Sequence, residues 1–195
     1  MIALLTGNFL HKTPTKVIVD AGGVGYEVHI SLNTYTAIAN LSAGSLHTHL
    51  KVAEDAFTLF GFWEAAEKDI FLKVIGVSGV GAGTARMMLN SLKPVELAQA
   101  IAQSNIKALE SIKGIGKKTA ERIVLELKDK MQAAAPAMAT NFGTLHNTVE
   151  ADALNALLSL GIAKAGAETA LKKAQAVSAA DAPVELLVKL ALKNL

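Results

Sequence analysis

Cysteine is absent from the 195 residues. Its absence excludes disulfides and thiolate metal sites and fits a reducing compartment, the cytoplasm. Hydrophobic residues make up 51% of the chain, yet no apolar run is long enough to span a bilayer. The N-terminus lacks the basic start and the cleavage site of a signal peptide. A nucleotide-binding P-loop is missing too. In Gly116-Lys117-Lys118-Thr119 a second Lys stands where Ser or Thr should follow the first, and Ser111 replaces the leading Gly. No ATP site, cofactor or metal is therefore expected. Net charge is small, +2, but unevenly spread. Residues 1–62 sum to −1, residues 63–131 to +3 and residues 132–195 to 0.

The positive excess falls on a motif that occurs twice. The first copy reads Ser78-Gly79-Val80-Gly81-Ala82-Gly83-Thr84-Ala85-Arg86. The second, 35 positions on, reads Lys113-Gly114-Ile115-Gly116-Lys117-Lys118-Thr119-Ala120-Glu121. Upstream, Phe71, Val74 and Val77 align with Ile106, Leu109 and Ile112, all at helical spacing. Each unit reads as helix, Gly-x-Gly turn, helix: a helix-hairpin-helix. So tight a turn needs backbone conformations that a Cβ penalises, and bare backbone lets a ligand approach closely. The free N–H groups and positive dipole end of the second helix then make an anion site. The candidate phosphate contacts are Gly79, Gly81, Gly83 and Thr84, with Gly114, Gly116, Lys117, Lys118, Thr119 and Arg122. Such contacts set position and carry no sequence information. A glycine-capped hairpin with a solvated basic face is the plainer reading of one copy; the duplication and Lys117-Lys118 favour backbone binding.

The fold class is α+β. Residues 1–62 read as an N-terminal β-barrel. Val17 and Val19, then Tyr26, Val28 and Ile30, alternate across the Gly22-Gly23 turn. Leu46, Thr48, Leu50 and Val52 alternate with His47, His49 and Lys51, and Phe57, Leu59 and Phe60 follow Glu54-Asp55. An OB-type five-stranded barrel matches the size, although pattern alone does not separate it from an SH3-like barrel. Residues 63–131 read as the tandem hairpin domain. A first helix begins at or near Asp69, Pro94 takes a first-turn position, and Ser104-Asn105 caps a helix. Ala120, Ile123, Val124 and Leu127 form an apolar stripe. Residues 132–147 read as a linker, and residues 148–195 as a small C-terminal three-helix domain. In that domain Leu154, Leu157, Leu158 and Leu160-Gly161 close one helix, Ala167, Ala170, Leu171 and Ala174 mark a second, and Pro183 opens a third with Leu186, Leu187 and Leu190.

This order of parts resembles the RuvA family of Holliday-junction-binding proteins over the whole chain. The matching motifs are Gly22-Gly23-Val24-Gly25-Tyr26-Glu27-Val28, Glu54-Asp55-Ala56 with Leu59-Phe60-Gly61-Phe62, and Gly114-Ile115-Gly116-Lys117-Lys118-Thr119-Ala120-Glu121-Arg122. The resemblance implies a non-catalytic subunit, a four-fold homotetramer or two stacked face to face, holding four-way junction DNA open on a concave basic surface. It implies an acidic pin, here Glu54 and Asp55, whose carboxylates repel phosphates near the crossover. On residues alone that pair is a solvated hairpin tip. The resemblance also implies that residues 148–195 bind a RuvB-type hexameric ATPase, with a RuvC-type resolvase as a further partner. Leu186, Leu187 and Leu190 offer part of a docking face, but the needs of a tiny core claim most of them.

Three stretches depart from the family pattern. Ala3 stands where Gly is usual, and Ala53 where Arg often precedes the acidic pair. Gly81-Ala82-Gly83 replaces Gly-Pro-Lys in the first hairpin, leaving its grip to backbone amides. The second hairpin should then supply more of the electrostatic affinity. Two other functions fit the residues less well. An enzyme of the glycosylase or nuclease kind needs a catalytic Asp in a cleft or clustered carboxylates. Asp129 lies on a charged helix, and Glu54-Asp55 has no third acid nearby. His47 and His49 share a strand face without further ligands. A general duplex-binding scaffold differs from the junction reading only in lacking junction preference.

Overall fold

Strand β1 (Leu4–Thr13) is joined through Pro14-Thr15 to β2 (Lys16–Ala21), and Gly22-Gly23 turns the chain into β3 (Val24–Ile30). Both glycines lie at positive φ, +66° and +91°, where any other residue is strained. Helix α1 (Leu32–Ile38) leads on to β4 (Ala43–Val52) and β5 (Phe57–Phe62). In this computed structural model, which describes residues 1–139, 149–177 and 182–194, the strands close a barrel in the order β1-β2-β3-β5-β4. The β1–β4 pair closes the ring, and β3–β5 is parallel, Val28 opposite Leu59. This is a five-stranded OB-type connectivity. Val17, Val19, Val28, Ile30, Leu46 and Leu59 fill the interior, as their period-2 spacing requires.

Two features escape the sequence pattern. Strand β1 shifts register between Phe9 and His11, so its alternation is broken by a bulge. Helix α1 has only seven residues, too few for a helical period to show; Ser31 caps it by accepting the Thr34 N–H. The alternation also overreaches at the other end. Val52 and Phe57, at the tip ends of β4 and β5, are 64% and 76% exposed.

Helices α2 (Ala65–Ile75), α3 (Ala82–Ser91), α4 (Pro94–Ala102), α5 (Ile106–Glu110) and α6 (Lys117–Ala139) follow. Helix α2 starts at Ala65 with Glu64 as its N-cap, so Asp69 lies inside the helix and does not begin it. Pro94 is the first residue of α4, and the Asn105 side chain caps α5 by accepting the Ala108 N–H. Helix α6 continues through Ala139, so residues 132–139 of the expected linker are helical in this alanine-rich stretch. Residues 140–147, the rest of that segment, lie outside the described residues.

The barrel and the hairpins share one core. Phe60 and Phe62 of β5 join Phe71, Val74, Met88, Leu97, Ile101, Leu109, Ile123 and Leu127. The Phe71 ring lies 4.8 Å from that of Phe62 and 5.2 Å from that of Phe60, centroid to centroid. On α2 the buried Glu67 carboxyl accepts hydrogen bonds from the Ser31 and Thr34 hydroxyls. Thr34 Oγ1 in turn accepts the Trp63 N–H at 2.9 Å. Burial pushes the Glu67 carboxyl above its ordinary pKa, against the opposite pull of the two hydroxyls.

The C-terminal unit packs α7 (Val149–Ser159), α8 (Lys164–Val177) and α9 (Val184–Lys193) around Ala153, Leu157, Ala167, Ala170, Leu171, Ala174, Leu187 and Ala191. Gly161, at φ +86°, ends α7 with bonds from its own N–H to Leu158 and from the Ile162 N–H to Leu157. Leu187 is buried and Leu190 packs against the core, whereas Leu186 is exposed. Among the described residues no helix is long and apolar enough to cross a membrane.

Candidate nucleic-acid interface

The sequence repeat returns as a repeat of geometry. Gly79 and Gly114 sit at φ +88° and +91°. Ahead of them, the Val77 N–H bonds the Val74 carbonyl at 3.1 Å, and the Ile112 N–H bonds Leu109 at 3.2 Å. The Val80 N–H bonds Val77, and the Ile115 N–H bonds Ile112, both at 3.0 Å. Beyond the turn the Ala85 N–H reaches Gly81 and the Ala120 N–H reaches Gly116, again both at 3.0 Å. Val80 and Ile115 are buried plugs that fix each turn to the core.

Each helix thus opens with three amides ahead of its first intrahelical donor: Ala82, Gly83 and Thr84 in α3, Lys117, Lys118 and Thr119 in α6. No side chain caps α3 at Gly81. A Cβ added at Gly81, Gly83 or Gly116 would meet nothing within 4 Å, and none of the three has positive φ. The fold itself therefore does not require glycine there, and the bare backbone leaves room for something outside the chain. Helix α3 presents no basic side chain in its opening turn; α6 presents exposed Lys117 and Lys118.

Arg122 connects the two copies. Its guanidinium donates to the Ser78 carbonyl at 3.4 Å, in the other hairpin's turn, and pairs with Glu126 at 3.4 Å. It therefore serves partly as a brace between the hairpins, a role the motif does not reveal. Arg86, which the 35-residue offset aligns with Glu121 and not with Arg122, turns to the barrel. It contacts His29 Nδ1 at 3.0 Å and donates to the Thr15 carbonyl at 3.3 Å. Burial, then the Arg86 and Lys16 cations, hold the His29 pKa below its ordinary value.

Glu54 and Asp55 stand apart from these turns. They are exposed at the tip joining β4 to β5, where the Ala53 N–H bonds the Ala56 carbonyl at 3.0 Å. No hydrogen bond or ion pair engages either side chain among the described residues. His47 and His49 gather no third ligand: no group of three or more His, Asp or Glu suited to a metal occurs among those residues. The His49 ring packs against Phe71, 5.8 Å away.

Comparison with known proteins follows the same division. The model for the RuvA N terminal domain matches residues 1–61, that for a SAM-like helix-hairpin-helix tandem matches 71–129, and that for the RuvA C-terminal domain matches 148–195. A Holliday junction branch migration complex subunit RuvA from Cytophaga hutchinsonii is 43% identical over 197 residues, covering 99% of each chain. Proteins of the same name from Geobacter sp. strain M21 and Christiangramia forsetii are 45% and 43% identical. Those alignments cover all of this chain and 99% and 100% of theirs. Identity of this order, end to end and across all three parts, places the chain in the RuvA family.

Proposed function

We propose that this chain is a non-catalytic subunit that binds four-way DNA junctions and directs branch migration by a partner ATPase in recombination and repair. One observation carries the reading: a duplicated turn with open space above its glycines and a free helix start behind each. Two such sites, braced by Arg122, suit two phosphate backbones. The chain's parts divide the work. Residues 63–131 grip the DNA through Gly79, Gly81, Gly83, Thr84, Gly114, Gly116, Lys117, Lys118, Thr119 and Arg122. Residues 1–62 carry Glu54 and Asp55 as the pin, whose carboxylates keep phosphates away from the crossover. Residues 148–195, beyond the 132–147 segment, dock the RuvB-type hexamer. Four copies, or two such tetramers face to face, match the junction's symmetry, and a RuvC-type resolvase acts on the same complex in the cytoplasm.

The test is a gel-shift competition between a four-way junction and linear duplex of matched length and sequence, without ATP or metal. Strong junction preference without cleavage is expected. Equal binding would leave a general duplex binder, and cleavage would revive a nuclease. Replacing Lys117 and Lys118 with Ala should weaken binding uniformly across sequences and flatten its salt dependence. Neutral residues at Glu54 and Asp55 should preserve or strengthen binding while altering branch migration.

A further inference from the structure

Aromatic side chains are few in this protein: six Phe, two Tyr and one Trp. Among the described residues all but one are buried or half-buried. The exception is Phe57, 76% exposed, two residues beyond Asp55. Its position follows from the hairpin's register. Val52 and Phe57 are the last facing pair of β4 and β5, and Leu50 and Leu59 are the pair two residues further in. Alternation puts Phe57 on the same face as Leu59, which the barrel buries. The hairpin runs on past the barrel's cover, so the final pair emerges as bare apolar surface beside two unpaired acids.

We propose that the Phe57 ring is a base-stacking site, holding an unpaired base at the centre of an opened junction. This inference rests on the junction reading above and adds a ligand contact to it. The neighbouring charges select the occupant. Glu54 and Asp55 repel phosphate, so a nucleic acid approaching this tip presents its bases and not its backbone. Within duplex arms the bases are stacked on one another, so a free face exists only where pairs are open. A planar base meets an aromatic ring without regard to sequence, as a moving crossover requires. The acids and the ring then act together: the carboxylates turn the strands aside and the ring receives the base released by that parting.

The experiment measures binding of the full-length wild-type protein, Phe57→Ala, Phe57→Leu and Phe57→Trp to a four-way junction and to matched duplex, with oligomeric mass recorded for each. Phe57→Ala should weaken junction binding by about five- to hundred-fold per stacked base and leave duplex binding unchanged. Trp should restore it, and Leu, apolar but not planar, should not. In the wild-type complex a 2-aminopurine at the crossover should change its emission, and Phe57→Ala should abolish that change. Rescue by Leu, or a loss that tracks a drop in oligomeric mass, would make Phe57 an apolar contact between copies and overturn the proposal. Unchanged junction binding by Phe57→Ala, with wild-type preference intact, would overturn it alone. Wild-type protein without junction preference would remove the junction reading along with it.

Discussion

Under the 35-residue repeat Gly83 aligns with Lys118, so Gly83→Lys copies the charged hairpin into the uncharged one. Gly83 is exposed in the first turn of α3, and an added Cβ meets nothing within 4 Å. Replacing a helical glycine with lysine gains about 0.5–1 kcal/mol in helix propensity. Placing the cation at the positive end of the helix loses about 0.3–1 kcal/mol. The two nearly cancel, so unfolding should be little changed and binding can be read by itself. Each phosphate newly contacted steepens the slope of log K against log salt by about 0.9. Between 50 and 200 mM salt, a four-fold change, that is an extra loss of about 3.5-fold per contact. The assay is junction binding by fluorescence anisotropy across that salt range. A steeper slope and tighter low-salt binding are expected. A folded Gly83→Lys protein with the wild-type slope would refute the assignment of the α3 start as a phosphate site.

Gly114→Ala should destabilise the protein by about 1–2 kcal/mol, because φ is +91° there. Gly116→Ala should leave stability near wild type and yet weaken junction binding, since its methyl fills only outside space; denaturant titration beside binding separates the two, and an equal loss of stability in both would contradict the argument. His29 has a pKa held below its ordinary value of 6.5, so the unfolded chain takes up a proton more readily than the folded one. Stability should fall as pH drops below about 6.5 towards the folded value, and the Arg86 bond to Nδ1 should be lost with it. In His29→Gln that part of the dependence should vanish; parallel denaturation profiles for the two proteins between pH 7.5 and 5 would count against it.

The hairpins were legible because their signals are local. Gly-x-Gly, the Asn105 cap, the first-turn Pro94, and the stripe Ala120, Ile123, Val124 and Leu127 each act within a few residues, and all four stripe residues are buried. The barrel was legible only where alternation is regular. Strand β1 hides behind its bulge, and α1 behind its length. Alternation reports which face a residue takes but not where the cover over that face stops, so it does not foretell the exposure of Val52 and Phe57. The start of α2 was displaced because Glu64 caps without a side-chain bond, leaving no polar signature to read. Glu67, His29 and Arg86 were invisible for a different reason. Their partners lie 36 residues away for Ser31–Glu67 and 57 for His29–Arg86, and no short-range pattern encodes such pairs. The motif reports the charge of Arg122, while its contact with Ser78 depends on how the two copies pack.

The joint between barrel and hairpins has a mechanical consequence. It contains a buried carboxyl held by two hydroxyls, a threonine pinned by a backbone amide, and a phenylalanine packed against two others. Changing the angle at this joint means breaking these contacts together and opening a packed core, because such interiors do not deform smoothly. The acidic tip and the glycine turns are thereby mounted on one stiff frame, like the jaws and stop of a jig. DNA is the more compliant body, easily kinked and unstacked at its weaker steps. If the proposed junction binding holds, whatever bending is needed to fit the frame should fall on the nucleic acid, and how readily a given sequence bends should become a preference exerted without touching a base edge.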